Sequence, residues 1–229
     1  MGTLVREVLD ADGGFEVVGV YDVTHADDID ERAPAASLAI DFSNKASLPH
    51  VETYVRRTHA ALVSGTTGFD ESELGRIRAL GEFAPVIHSA NYSLGVAVLR
   101  RLAAEAAVAL DGWDVEIVET HHNQKADAPS GTARMLASAV DPKGECVVTC
   151  GREGMVGARP SREIGMHSLR GGTEAGTHEL HFFGTDEEVC LTHRATSRKI
   201  FVSGAVAAAK RLLAREPGFY TFDELMFGE

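Results

Sequence analysis

No stretch of this 229-residue chain approaches the about 18 consecutive apolar residues of a membrane span, so no membrane partner is expected. The opening "MGTLVREVLDADGG" carries acids where the apolar core of a secretory leader would stand. Cysteine is scarce: Cys146, Cys150 and Cys190 make an odd count, which without a leader argues for reduced thiols and a cytoplasmic protein. Cys146 and Cys150 sit as CxxxC in the β-like run "ECVVTCG" and read as buried strand cysteines rather than a zinc pair. Positive charge is in deficit, with 22 Lys and Arg against 34 Asp and Glu and a net charge of -12. That balance argues against nucleic acid or an anionic membrane as main partner. An anionic substrate must then be met by a pocket that is positive only locally. Repeats and low-complexity segments are absent. An apolar content of 44% is ordinary for a globular chain long enough for one large core or two small ones.

What is present begins with alternation. "MGTLVREVLDA" reads as a helix broken at Gly13-Gly14, and "FEVVGVYD" as a strand. Then "LAIDFS", "AALVSG" and "APVIHS" read as strands, separated by helical "KASLPHVETYVRRT" and "DESELGRIRALG" and followed by the long helix "SLGVAVLRRLAAEAAVAL". The strands are continuous apolar runs, which predicts a parallel sheet covered on both faces. The pattern then changes. "WDVEIVET" is a strand and "SGTARMLASAV" a helix, after which "ECVVTCG", "EIGMHSLRGG", "HELHFFG" and "EEVCLTHRA" follow as strands between glycine-rich turns. "SRKIFVSGAVAAAKRLLARE" returns to a helix. The expected plan is α/β plus α+β: a nucleotide-type domain over 1–92 and 197–229, with an inserted mixed-sheet domain over 93–196.

Asp22 closes the strand "FEVVGVYD", where a Rossmann-like dinucleotide fold places an acid on the adenosine ribose hydroxyls; a turn or cap aspartate is the alternative. The glycine-rich fingerprint of such a fold belongs before the first helix, after a first strand. Here the chain opens at Met1-Gly2, where the last glycine of that loop would fall. The expectation is that Met1 is an internal methionine of a longer chain whose upstream codons encode an apolar strand and the missing glycines. "SGTTGFD", Ser64 to Asp70, and "HSANYSLG" lie at the carboxyl ends of successive parallel strands, where these folds bind ligands. Small residues there let a ligand approach the backbone, although a plain strand-to-helix turn reads the same way.

The densest chemistry is "ETHHNQKADAPSGTA", Glu119 to Ala133. A strand delivers His121 and His122 at its end, and adjacent residues on extended backbone point opposite ways, so they cannot do the same job. Lys125 follows in a loop. Asp127, Pro129 and Ser130 stage a helix whose first turn is Gly131-Thr132-Ala133. Free N–H groups at a helix start, two imidazoles and an ammonium make an anion site with proton donors, suited to a carboxylate substrate. A metal held by His121, His122 and Asp127 competes, but neighbouring histidines rarely converge on one ion, and no resident metal is expected. An exposed polar loop is the bland alternative.

That stretch resembles the E-x-H-H-x-x-K-x-D-A-P-S-G-T-A signature of the dihydrodipicolinate reductase (4-hydroxy-tetrahydrodipicolinate reductase) family. "IDFS", "GTTGFD" and "SANYSLG" resemble its nucleotide-domain loops, and "GREGMVGARPSREIGMHSLRGG" and "THRATSRKIFVSGAVAAAKRLL" its later segments, so the likeness spans nearly the whole chain. The resemblance implies NAD(P)H-dependent reduction of a cyclic dicarboxylate in the diaminopimelate route to lysine. It implies His121 as general acid/base and Lys125 as proton donor, with His122, Lys125, Ser130, Gly131 and Thr132 on the substrate carboxylates. Gly65, Thr66, Thr67, Ser89, Ala90, Asn91 and Tyr92 are implied along the cofactor, together with Met1 and Asp22. It also implies a homotetramer joined through the sheets of the inserted domain. No arginine directly follows Asp22, which predicts NADH over NADPH because an unpartnered acid repels a 2′-phosphate. Two alternatives stand beside an active reductase: an N-terminally truncated, cofactor-deficient member that binds substrate without efficient turnover, and a metal-dependent hydrolase using the same histidines.

Overall fold

The computed structural model describes residues 1–22, 24–25 and 27–228. The chain divides into two compact units, Met1–Ser93 with Lys199–Glu229, and Leu94–Arg198. The first unit opens with α1 (Gly2–Asp12), α2 (Asp27–Glu31), β1 (Leu38–Asp41), α3 (Leu48–Thr58), β2 (Ala61–Ser64), α4 (Glu71–Ala79) and β3 (Pro85–His88). The second contains α5 (Leu94–Ala109), β4 (Asp114–His121), α6 (Gly131–Val140), β5 (Val147–Cys150), β6 (Glu163–Arg170), β7 (Thr177–Phe183) and β8 (Glu188–Arg194). The chain then returns to the first unit with α7 (Lys199–Leu212), β9 (Gly218–Tyr220) and α8 (Phe222–Phe227).

In the first unit, β1, β2, β3 and β9 pair in that order and all in parallel. Every residue of β2 is buried, as a strand covered on both faces must be. Leu62 and Val86 pack with Leu48 and Val55 of α3 and Ile77 of α4, while Ile40 leans on Leu9 of α1 and Val202 and Val206 of α7. Asp70 and Glu73 start α4 with a reciprocal capping box, each side chain accepting the other's N–H at 2.8 Å. Gly204 lets α7 lie directly on the chain, because a Cβ there would come within 1.7 Å of the Tyr92 carbonyl oxygen.

One expected strand does not form. Phe15–Asp22 has no ladder partner among the described residues, and Val18 and Val20 are 49% and 62% exposed. Valine-rich composition favours a pleated, half-buried surface but does not make a strand without a neighbour to bond. The aromatics of the segment are used instead as packing: Phe15 and Val17 lie on the α1–α7 cluster, and Tyr21 against Ala33 and Tyr54.

The second unit is a mixed five-stranded sheet in the order β5-β6-β4-β7-β8, with β5, β6 and β4 parallel and β7 and β8 antiparallel. One face is covered by α5 and α6. There the rungs Ile164–Val115–Phe182 and Met166–Ile117–Leu180 meet Leu99 and Ala103 of α5 and Leu136 and Ala137 of α6. The other face is charged: Arg152 bridges Glu116 at 2.7 Å and also Glu163, and Arg159 reaches Asp114 at 2.7 Å. Burial would raise the pKa of Glu116, but hydrogen bonds from Arg152, His167 and Arg159 hold it down to about 2. The cysteine expectation needs correction. Cys146 precedes β5 and is half-buried, and Cys150 is exposed, because β5 is an edge strand with Val147 67% exposed beside it.

Candidate active site

β4 alternates strictly, with Val115, Ile117, Glu119 and His121 buried on the helix-covered face. The first two are core. The next two are titratable, and the register surrounds them with more of the same kind. Glu119 lies directly between Ser168 on β6 and His178 on β7, and His121 beside Arg170 on β6. At the carboxyl end of β4 the apolar rungs therefore give way to polar ones.

Glu119 is the hub. Its side chain is fully buried, and it accepts from Arg170 Nη2 at 2.7 Å and Nη1 at 2.9 Å, from the Ser130 N–H at 3.2 Å and from His121 Nδ1 at 2.5 Å. Burial alone would raise its pKa, but hydrogen bonds from Arg170, Ser168 and His121 outweigh it and hold it at about 2. A permanent carboxylate at this place fixes His121 with its proton on Nδ1 and turns Nε2 away from the carboxylate. On that side stands Gly176, whose φ is +147° and where a Cβ would come within 3.0 Å of His121 Nε2. Glycine puts no side-chain atom against that nitrogen. Burial pushes the His121 pKa down; Glu119 opposes this, and Lys125 and Arg170 add to it.

His178 stands edge-on to His121 with ring centroids 5.1 Å apart, and its Nε2 is 3.2 Å from Ser130 Oγ. Burial and the neighbouring His121 lower it to about 4, so it is neutral at pH 7, and its Nδ1 is buried without a partner among the described residues. Ser130 is the buried N-cap of α6, with its Oγ accepting the Ala133 N–H at 3.1 Å. Lys125 Nζ is held 2.7 Å from Asp127 Oδ1, and the Asp127 carbonyl accepts from Arg170 at 2.7 Å. Asp127 is lowered by the Lys125 hydrogen bond. His122, half-buried, donates its backbone N–H to Glu174. Gly131 is exposed with open space around its Cα, and Thr132 is half-buried beside it.

The nucleotide-loop candidates lie in the first unit. Gly65, Thr66 and Thr67 follow β2, with Thr66 buried, its Oγ1 accepting the Ser43 N–H at 2.9 Å and its carbonyl 2.9 Å from His88 Nε2; Thr67 is exposed. Ser89, Ala90 and Asn91 follow β3, with Ser89 Oγ donating to the Asn91 carbonyl at 2.7 Å. Tyr92 differs from the expectation. Its ring is buried against Phe222, and its hydroxyl donates to Ser64 O at 2.8 Å, so the side chain belongs to the core and presents nothing to a ligand. The exposed Asp22 carboxylate turns back on its own chain, accepting from Thr24 N at 2.9 Å and Oγ1 at 2.6 Å. Met1 sits at the start of α1, where Gly2 has open space around it.

Residues 1–92 match the family described as dihydrodipicolinate reductase, N-terminus, and residues 95–226 the one described as dihydrodipicolinate reductase, C-terminus. The chain belongs to the dihydrodipicolinate reductase family. Its relatives include the 4-hydroxy-tetrahydrodipicolinate reductase of Brachyspira hyodysenteriae, 36% identical over 99% of this chain and 95% of the relative. That of Caldanaerobacter subterraneus subsp. tengcongensis is 40% identical over 99% of this chain and 94% of the relative. Among solved structures, dipicolinate-bound dihydrodipicolinate reductase from Paenisporosarcina sp. TG-14 shares the fold, with a TM-score of 0.74, 22% identity, and coverage of 99% of this chain and 95% of that one.

In this dihydrodipicolinate reductase family member the second unit brings His121, Ser130, Lys125 and Asp127 together around Glu119 and Arg170. Sequence reasoning gave no role to Glu119, Arg170, His178 or Gly176. Glu119 was within reach, since alternation along β4 puts it on the same face as His121. Arg170 and His178 are 51 and 48 residues from their partners, so nothing short of the strand register finds them.

Proposed function

We propose that this chain reduces 4-hydroxy-tetrahydrodipicolinate to tetrahydrodipicolinate with NADH or NADPH, with loss of water, in lysine and diaminopimelate biosynthesis. The observation that carries the reading is the buried Arg170–Glu119–His121 array, with a glycine, Gly176, where any side chain would crowd His121 Nε2. A fixed ionised carboxylate on Nδ1 sets the tautomer, so Nε2 is the atom that exchanges a proton with substrate. Lys125, steadied by Asp127, acts as the second proton donor. His122, Lys125, Ser130, Gly131 and Thr132 hold the substrate carboxylates, helped by the N–H groups at the start of α6. The first unit is the dinucleotide domain. Small and hydroxyl residues at the carboxyl ends of β2 and β3, with Thr67 and Ala90 exposed and open space at Gly2, fit a nicotinamide dinucleotide. Gly65, Thr66, Thr67, Ser89, Ala90 and Asn91 hold it there, with Met1 and Asp22 toward its adenosine half. When bound, the dinucleotide supplies the hydride.

NADH is the preferred cofactor in this reading, because the Asp22 carboxylate takes its hydrogen bonds from Thr24 and His25 and no arginine directly follows it. The protein works in the cytoplasm as a homotetramer joined through the mixed sheets, whose charged face α5 and α6 leave uncovered.

The test is oxidation of NADH and of NADPH by the purified chain, with the cyclic substrate generated in place by the preceding condensation enzyme. Turnover with a higher kcat/KM for NADH is expected. Absence of turnover with both would overturn the activity, and a tenfold NADPH advantage would overturn the preference alone. His121→Ala should lower kcat by about 10²–10⁴; an unchanged kcat removes His121 from the mechanism.

A further inference from the structure

Arg170 ends β6 as the partner of His121 on β4, and the Gly171 N–H that follows it donates to the His121 carbonyl at 2.9 Å. Paired residues of neighbouring strands leave the sheet on one face, so the guanidinium lies on the face of Glu119 and His121. A cation beside a dicarboxylate site invites the reading that it holds substrate. An inventory of its donors points elsewhere. A guanidinium carries five N–H groups, four of them on the two Nη atoms. Nη1 donates to Glu119 Oε2 at 2.9 Å and to the Leu169 carbonyl at 2.7 Å. Nη2 donates to Glu119 Oε1 and to the Asp127 carbonyl, each at 2.7 Å. Nε is buried and has no partner among the described residues. Every donor is therefore either engaged or out of reach of a ligand, and the positive charge is matched by a fully buried carboxylate.

We propose that Arg170 is a positioning residue for both proton donors, tying the Lys125 loop to the strand that carries His121 without itself touching substrate. The proposal rests on the reductase reading of those two residues. The guanidinium fork grips both oxygens of Glu119, and Glu119 Oε2 in turn receives the His121 Nδ1–H at 2.5 Å. On the loop side, Nη2 holds the backbone of Asp127, whose own carboxylate accepts from Lys125 Nζ at 2.7 Å. Glu119 Oε1 also accepts the Ser130 N–H at 3.2 Å, so the loop from Lys125 to Ser130 is pinned at two points to one ion pair. The ammonium and the imidazole thus take their places from the same planar group. A shift of about 1 Å in a reacting group can cost about 10²-fold in rate, so the link matters to turnover although no donor of Arg170 faces the substrate. Only arginine makes it. A lysine keeps the charge beside Glu119, but its single ammonium nitrogen cannot face both Glu119 oxygens and the Asp127 carbonyl in the geometry of the fork. The positive potential offered to substrate carboxylates then comes from Lys125 and the start of α6, not from Arg170.

The experiment is Arg170→Lys in the full chain, with Glu119→Gln as its comparison. Arg170→Lys retains the ion pair and should fold, which circular dichroism checks. Expected for it are a kcat lower by about 10–100-fold, from the loosened His121, and a KM higher by about tenfold, from Lys125 moving off its substrate carboxylate. Glu119→Gln leaves Arg170 on the Asp127 carbonyl and lowers kcat with KM near the parent's. Hydrogen exchange over residues 122–130, read by mass spectrometry, needs no turnover; it should quicken about tenfold or more in Arg170→Lys as the loop loses a charge-assisted hydrogen bond. A raised KM with parental kcat would make Arg170 a substrate-binding cation and overturn the proposal. Parental kcat and KM with only a lower melting temperature would make it merely structural and overturn it equally. Unchanged exchange would break the link to the Lys125 loop, whatever the kinetics. A parent inactive with both nucleotides overturns the reductase reading and with it the positioning role, even where exchange of the loop responds to Arg170.

Discussion

Replacing Glu119 by glutamine separates the charge at the hub from its shape. The carboxylate receives hydrogen bonds from Arg170, His121, Ser168 and the Ser130 N–H in the folded state and is held at about 2 rather than its ordinary 4.5. Each pH unit between those values is worth about 1.4 kcal/mol, so the ionised, fully buried group contributes about 3 kcal/mol to stability. Removing one member of a buried ion pair costs about 3–5 kcal/mol. Arg170 keeps the carbonyls of Asp127 and Leu169, each at 2.7 Å, so the lower end applies. A glutamine must also point its amide at either Arg170 or His121, setting donor against donor. The expected loss at pH 7 is about 3 kcal/mol. Urea unfolding followed by the fluorescence of Trp113, the one tryptophan and packed on the core of the second unit, measures it. Because the folded-state pKa is depressed, the contribution is complete above pH 4.5 and lost as pH falls toward 2, so parent and variant should converge in acid. Freed from Glu119, His121 adopts the wrong tautomer for part of the time, and kcat should fall about 10²–10⁴ with little change in KM. Glu119→Gln/His121→Ala should be no slower than His121→Ala alone. A Glu119→Gln protein with parental kcat, or one within about 1 kcal/mol of the parent at pH 7, refutes the argument that this carboxylate holds the histidine.

Gly176→Ala puts a methyl 3.0 Å from His121 Nε2 on a backbone that side chains rarely adopt; kcat/KM should fall about 10–100-fold, and steady-state kinetics showing parental values would remove Gly176 from the site. His178 is neutral and depressed to about 4, so the unfolded chain binds its proton first; stability is full above pH 6.5 and declines as pH falls to 4. His178→Gln should flatten that decline in urea titrations across the window, and an unchanged slope would mean the imidazole is not the group responsible. With His121 as the acid and its pKa pushed down by burial, kcat/KM should fall as pH rises through a value below 6.5; a profile flat from pH 5 to 8 would contradict the proton role.

The alternation of parallel strands and helices, the switch to a mixed sheet and the α6 cap at Ser130 were all legible in hydrophobic period and turn chemistry. What failed depends on neighbours. Phe15–Asp22 has strand composition but no partner to bond, and β9, only Gly218–Tyr220, owes its existence to β3. α2 and α8 are too short for periodicity to reveal. Cys150 reads as buried until β5 is known to be the edge strand. At the site the histidines, lysine and cap were readable because they are contiguous, whereas Arg170 and His178 reach Glu119 only through pairing register.

The two-residue period of β4 carries a last consequence. His121 and His122 are chemically identical, and parity alone decides which one meets Glu119 and which one does not. Deleting a single residue between Asp114 and Val118, with the strand end held in place by its contacts, would slide the chain one position and turn every side chain upstream of the break to the opposite face. Deleting Ile117, for example, would put Glu116 in its place and Asp114 in that of Val115, placing two carboxylates in the α5–α6 core. The sheet therefore acts as a reading frame for the chemistry at its end. Substitutions along β4 can be absorbed one at a time, but a change in its length cannot, because the spacing from Val115 to His121 is what sets the histidine beside Glu119.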